Sequence, residues 1–158
     1  MNITVISVGK IKEKYFTAAI DEYSKRLSRF AKLNIIEVAD EKIPDNASEK
    51  EMEQIKEKEG NKILAKLPQN SFVVTLCIEG KEHSSEELAK KIADISMTSS
   101  HITFIIGGSL GLSDTVKSKS ALRLSFGKIT LPHQLMRVVL LEQIYRAFKI
   151  NNNESYHK

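Results

Sequence analysis

The run Ile102-Thr103-Phe104-Ile105-Ile106, closed by Gly107-Gly108 with Gly111 just behind, constrains this chain more than any other stretch. It is short, apolar and rich in β-branched and aromatic residues, so it reads as a buried strand of a parallel sheet. In an open α/β sheet, ligands bind in the crevice outside the C-terminal strand ends. Glycine at such an end lets the backbone approach a ligand or take a positive φ. A second β-like stretch, Leu122 to Leu131, ends at Pro132-His133 and passes directly into a long amphipathic helix. Two strand ends so close in sequence predict one pocket made mostly of main chain.

The rest of the chain alternates strand and helix patterns. Ile3 to Val8, ending at Gly9, reads as a buried strand; so do Leu33 to Ala39 and Phe72 to Ile78, the last ending at Glu79-Gly80-Lys81. Lys12 to Ala31 reads as a helix with Ile20, Tyr23, Leu27 and Phe30 on one face. Those aromatic residues belong to the core rather than to a stacking platform. Ser48 followed by Glu51 forms a capping box for a helix reaching about Leu67. Its density of mixed charges marks a solvated outer helix, and Gly60 weakens its middle, which is expected to be mobile. Ser84 or Ser85 caps a further helix, to about Met97, that turns Leu88, Ile92 and Ile95 inward. The last helix, Gln134 to Ile150, is apolar over a broad stripe from Leu135 to Phe148. Such breadth points to burial against a second subunit as well as against its own sheet. The expected fold is α/β, one domain over residues 1–158 with a mainly parallel sheet.

Charge narrows the partner. The net charge is only +4, but residues 1–32 carry +4, residues 33–116 carry −6 and residues 117–158 carry +6. If the two basic ends meet, they form a cationic face suited to a polyanion such as RNA. The single cysteine, Cys77, rules out an internal disulfide framework and reads as a buried, inert thiol in a reducing compartment. The N-terminus lacks the order of a signal peptide and no run is long enough to span a membrane, so the cytoplasm is expected. The chain has no GxxxxGK[ST] phosphate loop, no GxGxxG dinucleotide turn and no GxSxG nucleophile elbow. Its four histidines, His83, His101, His133 and His157, are scattered, which argues against a metal site. From the residues alone, the reading stops at a small α/β protein that binds a small molecule and RNA.

The ordered set of motifs goes further. Ile105-Ile106-Gly107-Gly108, Gly111-Leu112 and Leu124 through Leu135 (LSFGKITLPHQL) resemble the ribosomal RNA large-subunit methyltransferase H family of the SPOUT class. Ile6 to Lys10, Arg137 to Tyr145 and the terminal Tyr156-His157-Lys158 match as well, so the resemblance covers essentially the whole chain. It implies S-adenosylmethionine as cofactor and N3 of a pseudouridine in 23S rRNA of the assembled 70S ribosome as the methylated atom. It also implies a homodimer and a C-terminal trefoil knot, which general topology rules would have argued against.

Carried over by that resemblance, the cofactor positions fall on Leu76, Gly108 and Gly127, Lys128, Ile129, Thr130, Leu131 and Pro132. Taken singly, these are ordinary core and turn residues; the ordered set is what marks a site. Methyl transfer to N3 also requires its proton to leave, which calls for a base or for a group stabilising the developing anion. Tyr156, His157 and Lys158 are the candidates, reaching into the partner subunit's pocket. His133 is either a further catalytic group or the structural start of the last helix. Arg137 either contacts rRNA phosphate or pairs with an acid at the dimer interface. Ser155 stands where the family usually has proline, which puts the rigidity of the tail in question. Two other readings are a non-catalytic ribosome-binding factor of the same fold, which would fail to bind cofactor, and a SPOUT enzyme acting on tRNA, which substrate profiling would reveal.

Overall fold

The computed structural model describes residues 1–158. Its frame is a five-stranded sheet: β1 (Asn2–Val8), β2 (Lys32–Val38), β3 (Phe72–Glu82), β4 (His101–Ile106) and β5 (Leu122–Ser125), in the order β2-β1-β4-β3-β5. Every ladder is parallel, with β4 aligned to β1 from Asn2↔His101 to Ser7↔Ile106. Five helices cover it: α1 (Lys14–Leu27), α2 (Glu49–Lys66), α3 (Ser85–Ser96), α4 (Asp114–Ser118) and α5 (His133–Asn151).

Alternation along β4 assigns the two faces. Ile102, Phe104 and Ile106 join the larger core with α1, α3 and α5, through Leu27, Ile92, Leu140 and Ile144. Ile105 points the other way, into a smaller cluster with Ile63 of α2 and Val116 of α4. Phe104 is 1% exposed, and truncating it to alanine costs about 3–5 kcal/mol. Two buried threonines of the sheet find side-chain partners, whereas the Ser7 hydroxyl in β1 has none. The Thr4 hydroxyl meets His101 Nε2 at 2.7 Å, and Thr103 donates to the Ser71 hydroxyl at 3.0 Å.

Four expectations change. The fifth strand stops at Ser125, and residues 126–132 are extended loop rather than strand. The third strand does not end at Glu79; after a break in register it pairs Lys81 with Leu124, so β3 continues through Gly80. The polar segment after Gly111 forms the short helix α4, capped by Ser113, whose hydroxyl accepts from Val116 N–H at 3.2 Å. The middle of α2 is not a loose surface turn: Glu59, Gly60 and Ile63 are buried. A Cβ on Gly60 would lie 2.6 Å from Ser113 Oγ, so glycine is what lets α2 and α4 touch. The capping boxes at Ser48 and Ser84 form as the spacing implies.

Candidate active site

The strand order places the site. β1 is followed by α1 on one face of the sheet, whereas its neighbour β4 is followed by α4 on the other. Neighbouring strands whose chains leave toward opposite faces open a crevice at their C-terminal ends. A cavity of about 780 Å³ lies there. Its walls are the end of β3 (Leu76 to Glu79), the turn after β4 (Ile106 to Leu112) and the crossing segment from Phe126 to His133, with Leu124, Met136 and Lys117.

Local chemistry shapes each wall. After β4 the chain folds back on itself, with Gly111 N–H donating to Gly108 O at 3.0 Å. After β5 the Ser125 hydroxyl donates to Ile78 O at 2.9 Å and accepts Gly127 N–H at 3.1 Å, tying the turn to the end of β3. Gly127 has φ +107°, which side-chain-bearing residues rarely adopt. One polar pair stands in the mainly apolar wall: Lys117 Nζ lies 2.5 Å from Glu79 Oε1. That hydrogen bond holds the Glu79 carboxyl below its ordinary range. Beneath Gly108 lies the buried Glu59, which accepts Glu41 N–H at 3.0 Å. Burial pushes its carboxyl above the usual range.

Of the residues singled out in the sequence, Leu76, Gly108, Gly127, Ile129, Thr130, Leu131 and Pro132 all line this one cavity. Lys128 belongs to the same segment but is exposed and does not line it. His133 lines the cavity as the first residue of α5. Burial, and then the facing Arg137, lower its basicity. Lys117, Glu79 and Glu59 were not anticipated, because each lies in a charged, surface-like stretch and only the folded chain brings it to the cavity.

Arg137 is placed differently from expectation. It is 2% exposed and bonds within its own chain: to Glu37 Oε2 at 2.5 Å, to Gly9 O at 2.6 Å and to Val8 O at 3.3 Å. Its Nε–H has no partner but is buried as well, so the guanidinium presents nothing at the surface to an RNA phosphate. Its work is to clamp the start of α5 to the end of β1.

Without the family's proline, the C-terminal tail packs against α5 and α3. Tyr156 packs edge-on against Tyr145 with ring centroids 5.0 Å apart, and its hydroxyl donates to Glu142 at 3.1 Å. Burial, helped by that carboxylate, raises the phenol above its ordinary range. His157 Nδ1 faces Arg146 at 3.1 Å and its Nε2 faces Glu86 at 2.7 Å. A guanidinium only donates, so Nδ1 accepts and Nε2–H donates. Lys158 is exposed. None of the three reaches the cavity of its own chain. The site also holds no group of three or more His, Cys, Asp or Glu side chains able to bind a metal ion, and no helix is long and apolar enough to cross a membrane.

Comparison with known proteins adds to this geometry. The family model described as "Predicted SPOUT methyltransferase" matches residues 1–157. The ribosomal RNA large subunit methyltransferase H of Clostridioides difficile (strain 630) is 60% identical, over all of both chains. The protein of that name from Clostridium novyi (strain NT) is 62% identical, again over all of both. Among solved structures, the tRNA (m1G37) methyltransferase from Aquifex aeolicus superposes with a TM-score of 0.53 at 13% identity, covering 92% of this chain and 70% of that one. The latter likeness is one of fold. The glycine-lined crevice at the ends of β3, β4 and β5 thus lies in a chain that belongs to the SPOUT methyltransferase family, and with that family comes the knotted C-terminal path.

Proposed function

We propose that this protein is an S-adenosylmethionine-dependent methyltransferase that methylates N3 of a pseudouridine in 23S rRNA, acting in the cytoplasm as a homodimer on the assembled 70S ribosome. The observation that carries the reading is the convergence of seven of the eight expected cofactor positions on one cavity built largely of main chain. Its size suits a nucleoside joined to an amino acid. The glycines leave the room: the place of a Cβ at Gly111 is open, and at Gly127 only Glu82 Oε1 comes near, at 3.6 Å. Leu76 and Leu131 would hold the cofactor by apolar contact, with Gly108 and Gly127 to Pro132 supplying main-chain donors and acceptors. When bound, S-adenosylmethionine supplies a methyl group activated by a sulfonium.

What this chain contributes is orientation and management of the N3 proton. Tyr156, His157 and Lys158 serve the partner's pocket, since they lie away from their own. The half-buried aromatic face made by Tyr23 of α1, Phe30 just after it, and Tyr145 and Phe148 of α5 supports the dimer. The test is a methyl-transfer assay with radiolabelled S-adenosylmethionine on 70S ribosomes, isolated subunits and tRNA from cells lacking the gene. Label recovered as 3-methylpseudouridine in 23S rRNA of 70S particles is the expected result. Bound cofactor with no transfer to any RNA would overturn the substrate. Failure to bind cofactor would leave a ribosome-binding factor of the same fold.

A further inference from the structure

His133 stands where the cavity wall meets the open rim. Its ring packs over Gly9, where a Cβ would come within 3.1 Å of ring carbon Cε1. Beside it the exposed Lys10 and Lys12 flank the rim, and Lys12 N–H reaches Gln134 Oε1 at 3.4 Å. One turn along α5, Arg137 NH2 lies 3.3 Å from His133 Nδ1. The guanidinium is held there by Glu37 and by the carbonyls of Val8 and Gly9. NH2 has two N–H groups for three acceptors, so one is shared between Val8 O and His133 Nδ1, both at 3.3 Å, and Nδ1 receives it through its lone pair. The one ring proton is then on Nε2, which hydrogen-bonds to no group of this chain.

We propose that Arg137 is a positioning residue that locks His133 as the neutral Nε2–H tautomer, and that His133 donates this hydrogen bond to a carbonyl oxygen of the target base rather than acting as its general base. The inference rests on the function proposed above. A uracil-type base that loses its N3 proton spreads the negative charge over the two flanking carbonyl oxygens, and a fixed donor at either one stabilises that anion. A neutral imidazole does this without first having to lose a proton. The proton from N3 leaves to solvent water, and His133 keeps its own throughout.

The charged groups facing the ring agree. Burial, and then Arg137 on α5, disfavour a second ring proton, against opposing pulls from Asp40 after β2, Glu37 in β2 and Glu13 before α1. The arrangement also gives the cavity rim a reason for its buried arginine.

Substitutions at His133 separate donor from base. Glutamine places an N–H where Nε2–H stands but cannot carry a proton away, while alanine does neither. We expect H133Q to lose much less kcat on 70S ribosomes than H133A, which should lose about 10²-fold, both assayed at saturating S-adenosylmethionine because His133 lines the cavity. Equal loss in both variants would make His133 the base and overturn the proposal. Equal activity in both would remove it from the chemistry. The lock is read without turnover, from the ring 15N shifts of the histidine-labelled protein, with His133 assigned through H133Q. Nδ1 should be pyridine-like and Nε2 pyrrole-like at about pH 7, and R137K should mix the tautomers. A protonated or Nδ1–H ring in the wild type would overturn the proposal even if no RNA substrate is found. Absence of all methyl transfer with the expected shifts would instead count against the proposed function.

Discussion

At the scale of single residues, two positions near the cavity give sharp expectations. Gly127 holds φ +107° at the turn tied to β3 by Ser125. A Cβ in left-handed backbone costs about 1–2 kcal/mol, and the crossing segment can relieve that strain by moving. G127A should therefore fold normally but bind S-adenosylmethionine about tenfold more weakly by calorimetry. Unchanged affinity would detach this turn from the cofactor. Glu59 tests the other side of the wall. Its folded carboxyl is raised by burial, so the folded state binds the proton more tightly than the unfolded one. Stability then falls as pH rises from the unfolded value through the raised folded one. E59Q keeps an oxygen for Glu41 N–H and removes the buried charge. It should raise Tm at about pH 7, with the gain vanishing toward about pH 4, where the unfolded carboxyl also protonates. A lower Tm at neutral pH would mean that the charge itself holds the Gly108 turn.

At the scale of elements, the contact of α2 with α4 sets two magnitudes against each other. Glycine inside a helix costs about 1 kcal/mol relative to alanine, so G60A would gain that much on an open surface. Here the new Cβ would stand 2.6 Å from Ser113 Oγ, which cannot swing away without releasing the Val116 N–H it caps. Overpacking of this kind costs about 1–3 kcal/mol. G60A should therefore lower Tm, and a higher Tm would show that α4 yields freely. Gly60 also shows what the sequence could not disclose. The charge pattern of α2 is that of a solvated helix, and the partner that buries one edge of it is a five-residue helix without a periodic pattern of its own. Elements with long apolar periods or paired caps were legible: β1, β2, β4 and the starts of α2 and α3. The end of β5 was not, because Gly127 to Leu131 keeps β-like residues while Ser125 turns the chain through a side-chain bond. The tail carries the remaining prediction at this scale. Removing Tyr156 to Lys158 takes away only groups that lie outside the chain's own cavity. It should abolish methyl transfer while S-adenosylmethionine still binds, as measured by calorimetry and the labelling assay side by side. Full activity of the shortened protein would remove the tail from the chemistry.

At the scale of the whole molecule, cavity and partner were unequally legible. The cavity follows from glycine-ended strands, because a parallel sheet leaves few places for a ligand, and the ordered motifs marked seven of its lining residues. Arg137 does pair with an acid, one of its two expected roles, but that acid is Glu37 of its own chain, and its other acceptors come from the end of β1, far off in sequence, where no local pattern points to them. The substrate is a question of surface. One chain of 158 residues with a net charge of +4 offers the RNA only a few cations beside the cavity, chiefly Lys10, Lys12 and Lys128. Phosphate contacts position a nucleic acid without reading its sequence, and so few give neither the affinity nor the discrimination to find one nucleotide in a long free RNA. On the function proposed above, selectivity comes from a shaped surface presented around the target base, with both copies of the proposed dimer contributing contacts. Isolated 23S rRNA should accordingly be methylated poorly and 70S particles well, the gap lying in kcat/KM, and added salt should weaken 70S methylation only modestly. Efficient, strongly salt-sensitive methylation of the isolated rRNA would show instead that the chain reads RNA by charge.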